Sequence, residues 1–284
     1  MHSLMILMAL CFALGIRLCV PLSIIPWSNR WQRSLVYFLA PPLLLLMTDV
    51  AVILMGYHGE MLGFPASRFS YLLAILFLCF VLFRGTQLAY QGWYSTKNIQ
   101  NFPKKTVNGN QAIILETSFP YSAQIGFWQP ELVISQGLLD TLDTDHLNAV
   151  IAHEQAHANY RDTFWFFWLG WLGKITFCLP HTQALWEDLL LLREIRADQK
   201  AAQKVDPLTL AESLLIVSQK INQISTLNPL GVVEAAFHDI NTANRLEERI
   251  DALFDESDYL GCDKSDWGFI LLTLLPLFSV PFHY

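Results

Sequence analysis

The chain has 284 residues, of which 53% are hydrophobic and 15% are charged, and its mean hydropathy is +0.35. A soluble protein of this length has no need of so much apolar surface, so the composition favours a membrane protein. The formal net charge of −7 and the lack of a basic stripe give no sign of direct nucleic-acid binding. The five scattered cysteines indicate neither a disulfide framework nor a Cys-x-x-Cys metal site.

Four apolar windows approach the length of about twenty residues that a helix needs to cross a bilayer. They comprise residues 4–25, 34–56, 69–90 and 267–282. The first is predicted to be a retained anchor rather than a signal peptide, since no Lys or Arg precedes it and Arg17 interrupts it. Arg17 and Asp49 in the first two windows are expected to be structural. Pro276 and Pro281 leave open whether the last window spans, kinks or lies shallowly.

Basic residues in the loops predict the orientation, since Lys and Arg accumulate on the cytoplasmic side. The loop 57–67 has no Lys or Arg, whereas the segments after the first and third windows carry Arg30, Arg33, Lys97, Lys104 and Lys105. We therefore predict a multi-pass protein of the cytoplasmic membrane. Its domains are a three-helix transmembrane region at 1–90, a cytosolic domain at 91–260 and a C-terminal transmembrane helix at 261–284.

The cytosolic region begins with short strand patterns. Asn108-Gly109 is a hairpin signal, and strands are predicted at 112–116, 124–127 and 132–135. Helical patterns follow at 147–160, 183–204, 208–224 and 244–254. The predicted fold is thus mainly α, with a small α+β domain inserted between transmembrane helices.

Residues 153–157 read His-Glu-Gln-Ala-His. Residues four apart lie on one face of a helix, so His153 and His157 can bind one ion, while Glu154 can face a water in the open coordination position. Zinc lowers the pKa of such a water, and a carboxylate can take its proton. The alternative is an amphipathic surface helix with two solvated histidines.

A catalytic zinc usually has three protein ligands, and the third is often a glutamate on a second helix. Glu194, thirty-seven residues after His157, is the best candidate. Asp198, one helical turn later, can accept the second N–H of a ligating histidine and fix its tautomer. Alternatively, Glu194 pairs with Arg193 or Arg196 on a polar helix face.

The segment 163–179 is apolar enough to be taken for another crossing. A single crossing there would place His153 and Glu194 on opposite faces of the bilayer, where they could not bind one ion. We therefore predict that the segment dips into or lies along the membrane, with its tryptophans near the headgroups and Lys174 reaching water. A helix wholly buried in protein is the alternative.

These residues resemble the integral-membrane gluzincins, and the BlaR/MecR antirepressor type more than the HtpX type. The likeness covers most of the chain, including the segments 132–139, 147–153, 161–162, 194–198, 235–237 and 245–250. It implies a zinc endopeptidase with one zinc ion per chain, in which Glu154 is the general base and Asp198 the orienting carboxylate, and the ligands are His153, His157 and Glu194. Because the chain stops at Tyr284, we expect no extracellular penicillin-binding sensor and no β-lactam signal.

Two further roles follow from the resemblance. In gluzincins an edge strand beside the metal helix holds the substrate in extended form, and residues 121–127 are the candidate, with an ordinary strand as the alternative. A donor should also stabilise the transition-state oxyanion. The candidates, among which the sequence does not choose, are Tyr121, Tyr160, His181, His238 and Arg249. Arg249 matches a late arginine of the family, or it pairs with a nearby acid, Glu247, Glu248 or Asp251.

The predicted function is a membrane-embedded zinc endopeptidase that cleaves a cytosolic or membrane-proximal polypeptide, such as a transcriptional repressor or itself. An HtpX-like quality-control protease is the alternative within the enzyme class. A non-proteolytic signalling or scaffold protein is the alternative outside it, and the complete motif argues against that class because a scaffold has no need of Glu154. The expected partners are a polypeptide substrate and membrane lipid, and homo-oligomerisation is left open.

Overall fold

The structure, a computed structural model, describes residues 2–20, 27–58, 60–61, 64–227, 242–255 and 267–282. The chain divides into two compact units. The first comprises Met1–Ala89, Phe167–Leu190 and Asp258–Tyr284, and the second comprises Tyr90–Phe166 and Leu191–Ser257. The second unit holds both the His-Glu-Gln-Ala-His segment and Glu194.

The helices, in chain order, are α1 His2–Leu18, α2 Trp27–Met55, α3 Arg68–Ile99, α4 Gln136–Thr141, α5 Thr144–Tyr160, α6 Asp162–Ile175, α7 Thr182–Ala201, α8 Pro207–Leu227, α9 Thr242–Phe254 and α10 Trp267–Leu271. A 3-10 helix, Leu272–Phe282, continues α10. The strands are β1 Glu60–Met61, β2 Phe64–Pro65, β3 Lys104–Val107, β4 Asn110–Leu115, β5 Ser122–Ile125 and β6 Glu131–Ser135. The mainly α class predicted from the sequence is therefore confirmed, together with a small mixed sheet.

Among the described residues, two helices are long and apolar enough to cross a membrane, Asn29–Met55 and Arg68–Ile99. They contain most of the windows predicted at 34–56 and 69–90. The windows at 4–25 and 267–282 correspond instead to shorter apolar helices, His2–Leu18 and Leu272–Pro281. At about 1.5 Å per residue, α1 is roughly 26 Å long, a little less than the ~30 Å hydrocarbon core of a bilayer. The four-span arrangement remains a prediction.

The charged residues of the first two windows are buried within the first unit. The Nη2 atom of Arg17 donates to the carbonyl of Phe38 at 3.3 Å, and its guanidinium carbon lies 5.4 Å from the centre of the Phe38 ring. Asp49 is also buried. Both side chains therefore face protein.

The sheet of the second unit has the order β3-β4-β6-β5, in which β4 and β6 are parallel and the other neighbours antiparallel. Asn108 and Gly109 join β3 to β4 with φ values of 46° and 81°, the left-handed pair that a tight two-residue hairpin needs. The predicted hairpin is thus confirmed. The strand β3 was not predicted, since Lys104, Lys105 and Thr106 are polar and exposed at the sheet edge.

Helix α5 packs against the sheet on one side and against helices on the other. Its residues Leu147, Val150 and Ile151 share a hydrophobic core with apolar residues of β4, β6 and α4. Its residues Ala149 and Ala152 share a second core, which takes in Ala201, Leu210, Ala211 and Leu253 from α7, α8 and α9. Because α5 is packed on two sides, it cannot rotate about its own axis, and the directions in which its polar side chains point are fixed.

Helix α5 begins three residues before its predicted start because Asp143 caps it. The Asp143 carboxylate accepts the backbone N–H groups of Asp145 and His146 at 3.1 and 3.0 Å. At the other end Tyr160 is the last helical residue, and Arg161 takes a left-handed conformation with φ of 54°. The chain therefore turns sharply before α6 begins at Asp162.

Helix α6 covers most of the ambiguous segment 163–179. Its 14 residues span roughly 21 Å, too short for a ~30 Å hydrocarbon core. Buried residues recur at every third position, Phe166, Leu169, Leu172 and Ile175. On other faces, Trp165 and Trp168 are 58% and 41% exposed. The helix is therefore neither long enough for a straight crossing nor wholly buried in protein.

Gly137 tests the packing of α4 against residues 117–118, which lie between β4 and β5. Its N–H donates to the Thr117 carbonyl at 2.8 Å, and a Cβ built there would lie 2.1 Å from the Ser118 carbonyl oxygen. We expect Gly137→Ala to lower the free energy of unfolding by about 1–3 kcal/mol, because backbone must move. The measurement is thermal melting of the purified chain. The control is Gly92→Ala in α3, where nothing lies within 4 Å of the new Cβ. Equal melting temperatures for both variants would contradict the packing described.

Candidate metal centre

Helix α5 brings the two histidines together. His153 and His157 lie one turn apart, their rings are nearly perpendicular at 87°, and their Nε2 atoms are 3.1 Å apart. Both side chains are largely shielded from solvent, with 10% and 11% of their surface exposed. The solvated surface helix considered as the alternative is therefore wrong.

Glu194 of α7 supplies a third donor atom. Its Oε2 lies 3.3 Å from Nε2 of His153 and 3.5 Å from Nε2 of His157. Two ligands of a tetrahedral zinc ion, each about 2.1 Å from the metal, are separated by roughly 3.4 Å. The triangle of donor atoms thus fits three corners of such a tetrahedron. His153, His157 and Glu194 form a group that could hold a metal ion.

The other oxygen of Glu194 is held by its neighbour. Oε1 accepts from Nε and Nη2 of Arg193 at 2.9 and 2.6 Å. The pairing with Arg193, offered as an alternative to a ligand role, thus occurs together with the donor triangle. Burial alone would raise the pKa of Glu194, but Arg193 and the two histidines hold it well below its usual range. The carboxylate is therefore ionised, as a metal ligand must be.

Asp198 lies beside His153, as its spacing predicted. Its Oδ1 is 2.7 Å from Nδ1 of His153, although the ring nitrogen has no well-aligned acceptor. Arg249 binds the same carboxylate with two bonds, Nε to Oδ2 at 2.7 Å and Nη2 to Oδ1 at 2.9 Å. Its Nη1 lies 3.9 Å from Oε2 of Glu194. The pairing of Arg249 with Asp198 was not predicted from the sequence.

His157 has a carboxylate of its own, which the sequence analysis did not assign. Its Nδ1 and Oδ2 of Asp162 are hydrogen-bonded at 2.7 Å. Arg196 donates to the other oxygen of Asp162. Asp162 stands directly after the motif helix, so the sequence offered an acidic residue near the metal ligands. Nothing in the sequence indicates that the chain turns back towards His157.

Glu154 lies at the edge strand. It is buried, and its Oε1 accepts the Ser122 hydroxyl at 2.7 Å. The neighbouring Tyr121 has a raised pKa, first because of burial and second because of the negative charge of Glu154. Ser122 was missed because a single serine in a short strand carries no signal of such a contact.

The structure brings Tyr121 and Arg249, but not every oxyanion candidate, to the cluster. The ring of Tyr160 lies under the guanidinium of Arg196, 4.2 Å from its carbon. His181 is exposed and belongs to the first unit. His238 lies outside the described residues.

The donor triangle of two histidines and a glutamate could hold a metal ion, as the site of a metallopeptidase does. The sequence profile of the family described as BlaR1 peptidase M56 matches residues 70–251, more than half of the chain. The chain therefore belongs to this peptidase family, and the resemblance drawn from its motifs is confirmed. No curated protein and no solved structure matches it.

The titration of the histidines predicts how metal binding depends on pH. Burial alone would lower the pKa of His153, but the Asp198 carboxylate and Glu194 raise it to about 10. The metal-free imidazole is thus protonated at pH 7, whereas a ligand must offer a neutral nitrogen. The proton and the metal ion therefore compete for Nε2.

We expect zinc affinity to fall as the pH falls below 10, with about one to two protons released per zinc ion bound. Titration calorimetry at pH 7 in buffers of different ionisation enthalpy measures this number. A binding enthalpy that is the same in every buffer would show that no proton is displaced.

Proposed function

We propose that the protein is a membrane-embedded zinc endopeptidase that cleaves a cytosolic or membrane-proximal polypeptide. The observation that carries the proposal is the triangle of donor atoms, with sides of 3.1, 3.3 and 3.5 Å, formed by two imidazoles and a carboxylate. Two histidines and a glutamate are an established ligand set of catalytic zinc. Membership of a peptidase family supports the same reaction class.

In this proposal His153, His157 and Glu194 hold the ion. The bound ion supplies a Lewis acid that activates water and polarises the peptide carbonyl. Glu154 receives the proton of the attacking water and transfers it to the leaving nitrogen. One oxygen of Glu154 accepts the hydroxyl of Ser122, so the carboxylate is oriented and its other oxygen is the proposed base.

We assign stabilisation of the oxyanion to Tyr121 rather than to Arg249. Burial and the charge of Glu154 raise the pKa of Tyr121, so its phenol keeps its proton at neutral pH and can donate. Arg249 is engaged by both oxygens of Asp198, and its role in the proposal is to hold that carboxylate beside His153.

The outer edge of β5 supports an extended substrate. The Tyr121 carbonyl accepts the N–H of Ser135 at 2.9 Å, so Tyr121 is a hydrogen-bonded position of the antiparallel pair. Alternate residues of such a strand direct their main-chain groups to opposite edges. The groups of Ser122 and Gln124 therefore point away from β6, where an added peptide strand would pair with them. Since Ser122 also contacts Glu154, that peptide would pass beside the proposed base.

Several features support an active site at the cytosolic membrane surface. Two helices of spanning length and the family indicate a membrane protein. Lys97 lies in the last turn of the helix Arg68–Ile99, and Lys104 and Lys105 follow the helix. All three are exposed, as the positive-inside rule favours for a cytosolic segment. The short helix α6 allows His153 and Glu194 to remain on one side of the bilayer. A substrate near the membrane is the kind that such a site can reach.

Glu154→Gln tests the proposed base. The variant should retain zinc, since Glu154 is not a ligand, and lose proteolysis by a factor of about 100 to 10,000. The measurements are zinc content by mass spectrometry and a comparison of newly formed peptide termini in cells producing either protein. The control is Glu212→Gln, at an exposed residue of α8. Full proteolysis by Glu154→Gln would refute the mechanism.

Glu194→Ala tests the third ligand. With two imidazoles left, the variant should lose zinc on dialysis under conditions in which the wild type keeps one ion per chain. Zinc retained equally by both proteins would remove Glu194 from the ligand set. The melting temperature of the metal-free forms separates this loss from general unfolding.

A further inference from the structure

The two histidines of the cluster each present their second nitrogen to a different carboxylate. His153 faces Asp198, which Arg249 binds. His157 faces Asp162, to which Arg196 donates. The first carboxylate belongs to the Glu194–Asp198 motif, whereas the second lies outside both motifs.

The contact between His157 and Asp162 is the better aligned of the two. Nδ1 of His157 and Oδ2 of Asp162 form a hydrogen bond of 2.7 Å, whereas Nδ1 of His153 has no well-aligned acceptor. Asp162 is only 2% exposed, and its other oxygen accepts from Arg196. Because both oxygens are engaged, the carboxylate cannot rotate away from the ring without losing a charged partner.

The backbone explains how Asp162 reaches a residue five positions earlier. Arg161 ends α5 in the left-handed region, with φ of 54°, and its N–H bonds to the carbonyls of His157 and Ala158. A non-glycine residue is strained in this region, so surrounding contacts must stabilise it. The ring of Tyr160, packed under Arg196, holds the arginine that binds Asp162.

A simpler role for Asp162 is an acidic residue in the first turn of α6, which the helix dipole favours. That role requires neither burial nor a contact with a histidine. A surface acid at a helix start would also have no need of a buried pairing with Arg196. The two contacts together indicate a function in the metal cluster.

We propose that Asp162 is the positioning carboxylate of His157 and that Arg196 holds Asp162 in place. The inference rests on the proposed zinc site. A carboxylate that accepts the Nδ1–H fixes the ring tautomer, so Nε2 keeps its lone pair for the metal and becomes more basic. Each histidine then faces one carboxylate, His157 through a hydrogen bond to Asp162 and His153 through a close contact with Asp198.

Asp162→Asn tests the proposal in the full-length protein in detergent. Zinc affinity, measured by competition with a chromophoric chelator, should fall by about 10- to 100-fold. The absorption spectrum of the cobalt-substituted protein should change as well, because an amide whose oxygen pairs with Arg196 no longer accepts the Nδ1–H of His157. A purely structural role would lower the melting temperature of the metal-free protein and leave both metal readouts unchanged.

The matched control is Asp188→Asn. Asp188 also pairs with an arginine, Arg30, and accepts a serine hydroxyl from Ser34. This variant loses a carboxylate bound to arginine, and zinc affinity should not change.

If Asp162→Asn does not fold, Arg196→Gln is the second test. Arg196→Gln keeps the Asp162 carboxylate but removes the arginine that binds one of its oxygens. A smaller loss of affinity is expected for Arg196→Gln than for Asp162→Asn.

The outcomes separate this inference from the proposed function. A wild-type protein that binds no zinc overturns both. A wild-type protein that binds zinc, with an affinity that neither Asp162→Asn nor Arg196→Gln alters, overturns the positioning role alone. Equal losses in Asp162→Asn and Asp188→Asn would also overturn it, because the effect would then not depend on His157.

Discussion

The rest of the site depends on three donor atoms, from α5 and α7, that lie within 3.5 Å of one another. Charged groups of both signs surround them. Burying such groups is costly unless each is paired. Four carboxylates and three guanidiniums accompany the two histidines, namely those of Glu154, Asp162, Glu194, Asp198, Arg193, Arg196 and Arg249. The acids exceed the arginines by one. Burial lowers the pKa values of both histidines, but Asp198 and Glu194 beside His153, and Asp162 and Glu194 beside His157, raise them above the usual value without metal.

The packing of α5 makes this meeting possible. Ala149, Ala152 and Ala156 are buried, and side chains of this size let neighbouring helices approach closely. On the other side, Leu147, Val150 and Ile151 join the core with the sheet. The rotation of α5 is therefore fixed from both sides, and its histidines point towards α7 while Glu154 points towards β5. The chemistry depends on apolar contacts that involve none of the reacting groups.

Local signals in the sequence predicted much of this site. The spacing of His153 and His157 sets their common face, and the Asn-Gly pair sets the hairpin, because both depend on backbone geometry within a few residues. The contacts that were missed depend on tertiary structure. Asp162 reaches His157 only because Arg161, a residue with no preference for it, adopts a left-handed conformation. Arg249 has acids nearby in sequence, yet it binds Asp198, fifty-one residues away.

Helix α6 combines a contact to the metal cluster with exposed aromatic side chains. Its first residue, Asp162, contacts His157, and its body carries Trp165 and Trp168 with exposed rings. Tryptophan favours the interface between hydrocarbon and water, and this preference is the reason for the proposal that the helix lies along the membrane. A shift of α6 would move Asp162, and with it the acceptor that fixes the tautomer of His157. The orientation of the His157 ring therefore depends on the first residue of α6.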